Sequence, residues 1–73
     1  MKSNFPNVLK ELRAESKKSQ IEMAKEFNVS QRVWSYYETG EREPNIELLI
    51  DIAEYFKIPI DVLVGRYTIA RKN

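Results

Sequence analysis

The stretch Ser19–Gly40, SQIEMAKEFNVSQRVWSYYETG, decides the fold. Ser19 followed three residues later by Glu22 is a capping box. The hydroxyl meets a free backbone N–H of the first turn, and the carboxylate reaches back to the N–H of the cap residue. A helix therefore starts here, and Ile21, Met23, Ala24 and Phe27 supply its apolar face. Asn28 stands where that helix should stop, because Asn tolerates the left-handed backbone of a tight C-cap. Ser30 caps a second helix at once. Its apolar positions are Val33, Trp34 and Tyr37, and Thr39-Gly40 ends it, with Gly40 as the left-handed terminator. Only Asn28-Val29-Ser30 joins the two helices. So short a turn makes the second helix cross the first steeply, which is the helix-turn-helix arrangement.

Outward from this centre the chain reads as more short helices. Upstream, Pro6 suits a first helical turn. Phe5, Val8, Leu9 and Leu12 then share one face of a helix from about Phe5 to Lys17. Downstream, Glu41-Arg42-Glu43-Pro44 is a loop and Asn45 caps a fourth helix. In that helix Ile46, Leu49, Ile50, Ala53 and Phe56 are expected to face inward, with Leu48 and Ile52 broadening the stripe. Ile58-Pro59 breaks it, and a last short helix from about Ile60 to Val64 ends at Gly65. The tail 65–73 has no assignable pattern. β-Branched residues are few and scattered, so no sheet is needed. The expected fold is all-α: a compact bundle of five short helices in one domain spanning 1–73. Its core is at 8–64, and the helix-turn-helix motif at about 19–39.

Composition narrows the function. A chain of 73 residues buries a limited core, and needs a disulfide, a metal, tight packing or a partner. With no Cys there is no disulfide, and with no His as well a zinc site is not expected. Helix packing and self-association are left. Hydrophobic residues at 42% and charged residues at 32% fit a folded domain. No apolar run approaches the roughly 20 residues of a membrane helix. The N-terminus has no apolar signal core, so a cytoplasmic protein is expected. An enzyme is not expected: general acid–base work leans on His or on carboxylates in a concave site, and there is no Gly-rich phosphate loop. No cofactor, metal or small-molecule ligand is indicated.

Net charge is only +1, but its distribution is uneven. Residues 1–35 hold seven cations against four carboxylates, residues 36–64 two against seven, and residues 65–73 three against none. One half can thus face phosphate. In a helix-turn-helix the second helix enters the major groove by its N-terminal part while the first crosses the backbone. The solvent side of the second helix carries Gln31, Arg32, Ser35 and Tyr36. Gln pairs bidentately with adenine and Arg with guanine. Tyr stacks, bonds phosphate or packs on a thymine methyl.

The chain resembles the Cro/C1-type (Xre-like) helix-turn-helix family of phage repressors and bacterial regulators. The resemblance is carried by Val8-Leu9-Lys10-Glu11-Leu12-Arg13, Ser19-Gln20-Ile21-Glu22-Met23-Ala24 and Phe27-Asn28-Val29-Ser30. It continues through Ser35-Tyr36-Tyr37-Glu38-Thr39-Gly40 with Arg42 and Pro44. It closes with Leu48-Leu49-Ile50-Asp51-Ile52-Ala53 and Ile58-Pro59-Ile60-Asp61-Val62-Leu63. The resemblance implies a lambda-repressor-like fold and a sequence-specific transcriptional regulator, repressor-like, that reads double-stranded operator half-sites as a homodimer. It implies base reading by Gln31, Arg32 and Tyr36, with Ser35 in support. It implies phosphate contacts at Gln20 and Arg42, and at the cap residues Ser19 and Ser30 beside them. Arg13 and Glu38 take the positions of the family's partly buried ion pair. The last helix and the tail, with Pro59, Val62, Leu63 and Tyr67, are the expected dimer surface.

Four positions depart from the family pattern. Glu41 and Glu43 stand where basic residues are common, and repel phosphate. Trp34 replaces a smaller aliphatic residue and is expected to hold its helix further from its neighbours. Lys57 replaces a C-cap Gly, and Pro59 a hydroxyl cap. The acidic loop and near-neutral charge also fit a second function, a protein-interaction module or antirepressor of the same fold that binds a repressor partner.

Overall fold

The structure, a computed structural model, describes residues 4–64 of the chain. Within them are five helices, α1 (Phe5–Ser16), α2 (Gln20–Glu26), α3 (Gln31–Thr39), α4 (Ile46–Phe56) and α5 (Ile60–Leu63), and no strand. The expected all-helical architecture is the observed one. The segment 65–73, with Gly65 as a terminator and Tyr67 as a dimer contact, lies outside the described residues.

Local chemistry sets each boundary. Both halves of the Ser19–Glu22 capping box are formed. The Ser30 hydroxyl accepts from the Val33 N–H, and Asn45 Oδ1 accepts from the Leu48 N–H at 2.8 Å. The helix ends repeat one device. Lys17, Asn28 and Lys57 all sit in the left-handed region, at φ 59°, 59° and 58°. After each, the next residue's N–H reaches back five residues: Lys18 to Arg13, Val29 to Ala24, and Ile58 to Ala53. This is the Schellman closure, and it satisfies carbonyls that a helix end otherwise leaves bare. Gly40, at φ 86°, closes α3 differently, with its own N–H and that of Arg42 both donating to the Tyr36 carbonyl. A Cβ at Gly40 would also come within 3.4 Å of the Pro6 ring.

The core forms where these helices converge. Leu9, Met23, Trp34, Ile52 and Leu63 are fully buried, joined by Phe5, Ala24, Tyr37 and Ala53. Trp34 is fully buried there. Its ring stacks on Phe27 at 5.6 Å and meets Tyr37 edge-on at 6.3 Å.

Three residues expected in the core lie outside it. Ile21, Ile46 and Ile50 are 55%, 61% and 43% exposed. On α2, Met23 and Ala24 take the inward positions, which leaves Ile21 facing out. On α4 the stripe that reaches the core is Leu48, Leu49, Ile52, Ala53 and Phe56. Ile46 and Ile50, one turn apart, fall on its outer side. A third correction concerns the dimer surface. Leu63 is fully buried and packs in the core, so its side chain cannot meet a partner. Val62 on α5 and Pro59 at its N-cap are exposed.

Candidate nucleic-acid interface

The site is built from α2, the turn after it, and α3. Asn28 in the left-handed conformation reverses the chain within a few residues, and Ser30 restarts it as helix. α3 then has two unlike faces. Trp34, Tyr37 and Glu38 are buried, while Gln31 and Arg32 are exposed and Ser35 and Tyr36 are half-buried. The four residues expected to read bases therefore sit together on the open side. The cap residues Ser19 and Ser30 are exposed beside them. Each uses its oxygen to accept a backbone N–H, which leaves the hydroxyl hydrogen free to donate.

What holds α3 is a buried carboxylate. Glu38 is 3% exposed. Its Oε1 accepts from Arg13 Nη2 at 3.2 Å and Gln20 Nε2 at 3.0 Å. Its Oε2 accepts from Arg13 Nε and from the Trp34 indole N–H, the latter at 2.7 Å. Burial pushes the Glu38 carboxyl up. The hydrogen bonds from Arg13, Gln20 and Trp34, together with the Arg13 charge, outweigh that and hold it below its ordinary value. The same guanidinium donates to the Lys18 carbonyl at 3.1 Å, so Arg13 ties α1, the α1–α2 turn and α3 at one point.

The expected Arg13–Glu38 ion pair is present, but two of its partners were not foreseen. Trp34 and Glu38 are four residues apart on one helix, a spacing that brings side chains together, and a buried indole N–H needs an acceptor. That pairing was readable. The Gln20 contact joins residues 18 apart and carries no local signal.

Gln20 does not stand free at the start of α2. Its nitrogen faces Glu38, and its oxygen accepts from Gln31 Nε2 at 2.8 Å. The first-turn phosphate candidate and the first base-reading candidate are therefore one hydrogen-bonded pair. At the other end of α3 the Arg42 guanidinium lies over the Tyr36 ring, 5.5 Å from its centre. This cation–π contact steers both side chains toward the same edge of the face. Arg42 also borders a small cavity of about 210 Å³ between α1, the α3–α4 loop and α4. Glu41 and Glu43 are exposed in the same loop, with Glu43 bordering that cavity, so the acidic departure from the family pattern lies at the rim rather than on the α3 face.

The likeness to known proteins agrees with this geometry. A family model described as helix-turn-helix matches residues 9–63. The chain is 42% identical over 50 residues to the cryptic phage CTXphi transcriptional repressor RstR of Vibrio cholerae, covering 68% of this chain and 45% of that protein. It is 29% identical over 65 residues to the HTH-type transcriptional regulator ImmR of Bacillus subtilis, covering 89% and 51%. The crystal structure of a transcriptional regulator from Listeria innocua matches with a TM-score of 0.84 at 36% identity, over 100% of this chain and 67% of that one. The chain spans about half the length of the curated relatives it matches. With the family model covering most of the sequence, and the capped α2–turn–α3 unit formed as that family requires, the chain belongs to the Cro/C1-type helix-turn-helix family.

Proposed function

We propose that the chain is a sequence-specific DNA-binding transcriptional regulator that inserts α3 into the major groove. The observation that carries this reading is the division of α3. One face is locked into the core by Trp34, Tyr37 and Glu38, and the other offers Gln31, Arg32, Ser35 and Tyr36 together. Gln31 matches adenine and Arg32 matches guanine. Gln20, Arg42 and the hydroxyls of Ser19 and Ser30 serve the phosphates on either side. The printed descriptions of RstR and ImmR as transcriptional regulators support the same reading.

The regulator acts as a homodimer, because half-sites lie about 34–36 Å apart and one domain reads only one of them. Pro59, at the N-cap of α5, and Val62, on it, are exposed and available to that contact.

The test is titration of the chain against DNA selected from a random pool, at two salt concentrations. Tight binding should fall steeply with salt, because neutralised phosphates release counterions. Arg32→Ala should relax discrimination at one base pair by about 1–3 kcal/mol, and Gln20→Ala should lower affinity for every site. Equal, weak binding to every sequence would reject the reading. It would leave the second one, a fold-sharing module that binds a repressor protein, which the rim carboxylates Glu41 and Glu43 favour.

A further inference from the structure

We propose that Glu38 is a positioning residue for base recognition, acting through Gln20 to fix the sense in which the Gln31 amide faces DNA. The inference rests on α3 being the DNA-reading helix, and it concerns a residue that no DNA could touch. A carboxylate oxygen only accepts, so the prong of Gln20 that meets Glu38 has to be its NH₂ group. The other prong is then the oxygen. An oxygen facing Gln31 requires the NH₂ group of Gln31 in return. The buried negative charge thus sets the orientation of two amides in series. Without it either amide could turn over, since oxygen and nitrogen are the same size.

The orientation matters because adenine offers an acceptor and a donor in fixed positions, N7 and N6. Gln31 keeps one N–H and its oxygen for that pair, in a defined order. Turned over, it offers the same two groups in the wrong order. Gln20 keeps one N–H, which suits a phosphate oxygen. Trp34 and Arg13 fill the remaining lone pairs of Glu38, so the carboxylate is held still as well.

Two measurements test this on the whole chain. In the free, isotope-labelled protein, the Gln31 side-chain amide resonances should move in Glu38→Gln, although the two residues do not touch. Trp34→Phe, which takes a donor from the same carboxylate but lies off the Gln20–Gln31 line, should leave them in place. Unmoved Gln31 resonances in Glu38→Gln overturn the proposal.

On DNA selected by the wild-type chain, the preference for adenine at the Gln31 position, about tenfold, should fall close to onefold in Glu38→Gln. The preference at the Arg32 base pair should stay. An even loss at both positions would mean that Glu38 serves stability alone, and also overturns the proposal. If the orphaned Arg13 prevents folding, Arg13→Met with Glu38→Gln removes it and is read the same way. A wild type that selects no sequence rejects the DNA reading itself, and the base-reading role with it. Unmoved resonances beside intact selection reject only the relay.

Discussion

The two halves of the molecule are held by different forces. In the α1–α3 half, a buried carboxylate gathers four hydrogen bonds from Arg13, Gln20 and Trp34. In the α4–α5 half, among the described residues, the only side-chain hydrogen bond is the Asn45 cap. That half is joined to the rest by apolar contact of Ile52, Ala53, Leu63 and Val64, and it leaves Ile46, Ile50, Tyr55 and Val62 exposed. Apolar contact is non-directional and tolerates small shifts. Hydrogen bonds to a buried charge do not, because a displaced partner leaves that charge unsatisfied. The directional half is the one that carries the α3 face. The molecule fixes geometry on the side that carries that face, and uses plain burial elsewhere.

The contrast is broken most directly at Glu38. Glu38→Ala leaves Arg13 without its counter-charge and Trp34 without an acceptor. Removing one partner of a buried pair costs about 3–5 kcal/mol, which denaturant unfolding followed by circular dichroism would read. A cost below about 1 kcal/mol would show that the pair is solvated and that the two halves are alike. The same group also gives a pH signature. Its folded-state carboxyl lies below the ordinary value of 4.5, so its stabilisation is complete above that pH and is lost as pH falls through the lowered value. In Glu38→Gln that part of the acid dependence should vanish.

Leu63→Ala probes the apolar half. It should cost about 3 kcal/mol through lost burial and a residual cavity. The difference from Glu38→Ala should lie in the exposed face of α3. Leu63→Ala should weaken the fold without moving Gln31 amide resonances, because no hydrogen-bonded chain links α5 to α3. Movement of those resonances would join the halves into one cooperative unit.

Much of this division was legible in the sequence. Caps at Ser19, Ser30 and Asn45 are local chemistry, and each stands where the residues place it. Arg13 and Glu38 were legible only through the family pattern, since they lie 25 residues apart. The outer face of α4 was not legible. Ile46, Leu48, Leu49, Ile50 and Ile52 surround much of that helix with apolar groups, so periodicity alone does not choose the inward side. Docking against α5 chooses it, and leaves Ile46 and Ile50 outside. Leu63 and Val62 were inseparable for the same reason: in a helix of four residues, one turn has no period to read.

A smaller effect sharpens the directional side. Trp34→Phe keeps most of the ring stacked on Phe27 and removes one donor to Glu38. Three donors remain on the carboxylate, so the expected cost is about 1.5 kcal/mol, at the low end for a hydrogen bond to a charged group. A cost near that of Glu38→Ala would mean that Trp34, not Arg13, is the main stabiliser of the charge.

The smallest expected effect is at the closures. Lys17 and Lys57 adopt the same left-handed cap, one in each half. A non-glycine residue there costs roughly 1–2 kcal/mol, and glycine removes that strain but loses about 0.4–1 kcal/mol to unfolded-state entropy. Gly at either position should therefore stabilise by about 0.5 kcal/mol, read as a rise in thermal midpoint. The two need not agree. Lys57 is followed by Ile58, whose half-buried side chain packs against the core and holds the α4 closure in place. Lys17 is followed by Lys18, which instead pairs with Glu26 at 3.7 Å and offers its carbonyl to Arg13. Added backbone freedom at 17 therefore loosens the seat of Arg13, while at 57 it meets only apolar packing. Lys57→Gly should show the full gain and Lys17→Gly less of it. Equal gains would mean that the polar hub does not depend on the turn that carries Lys18.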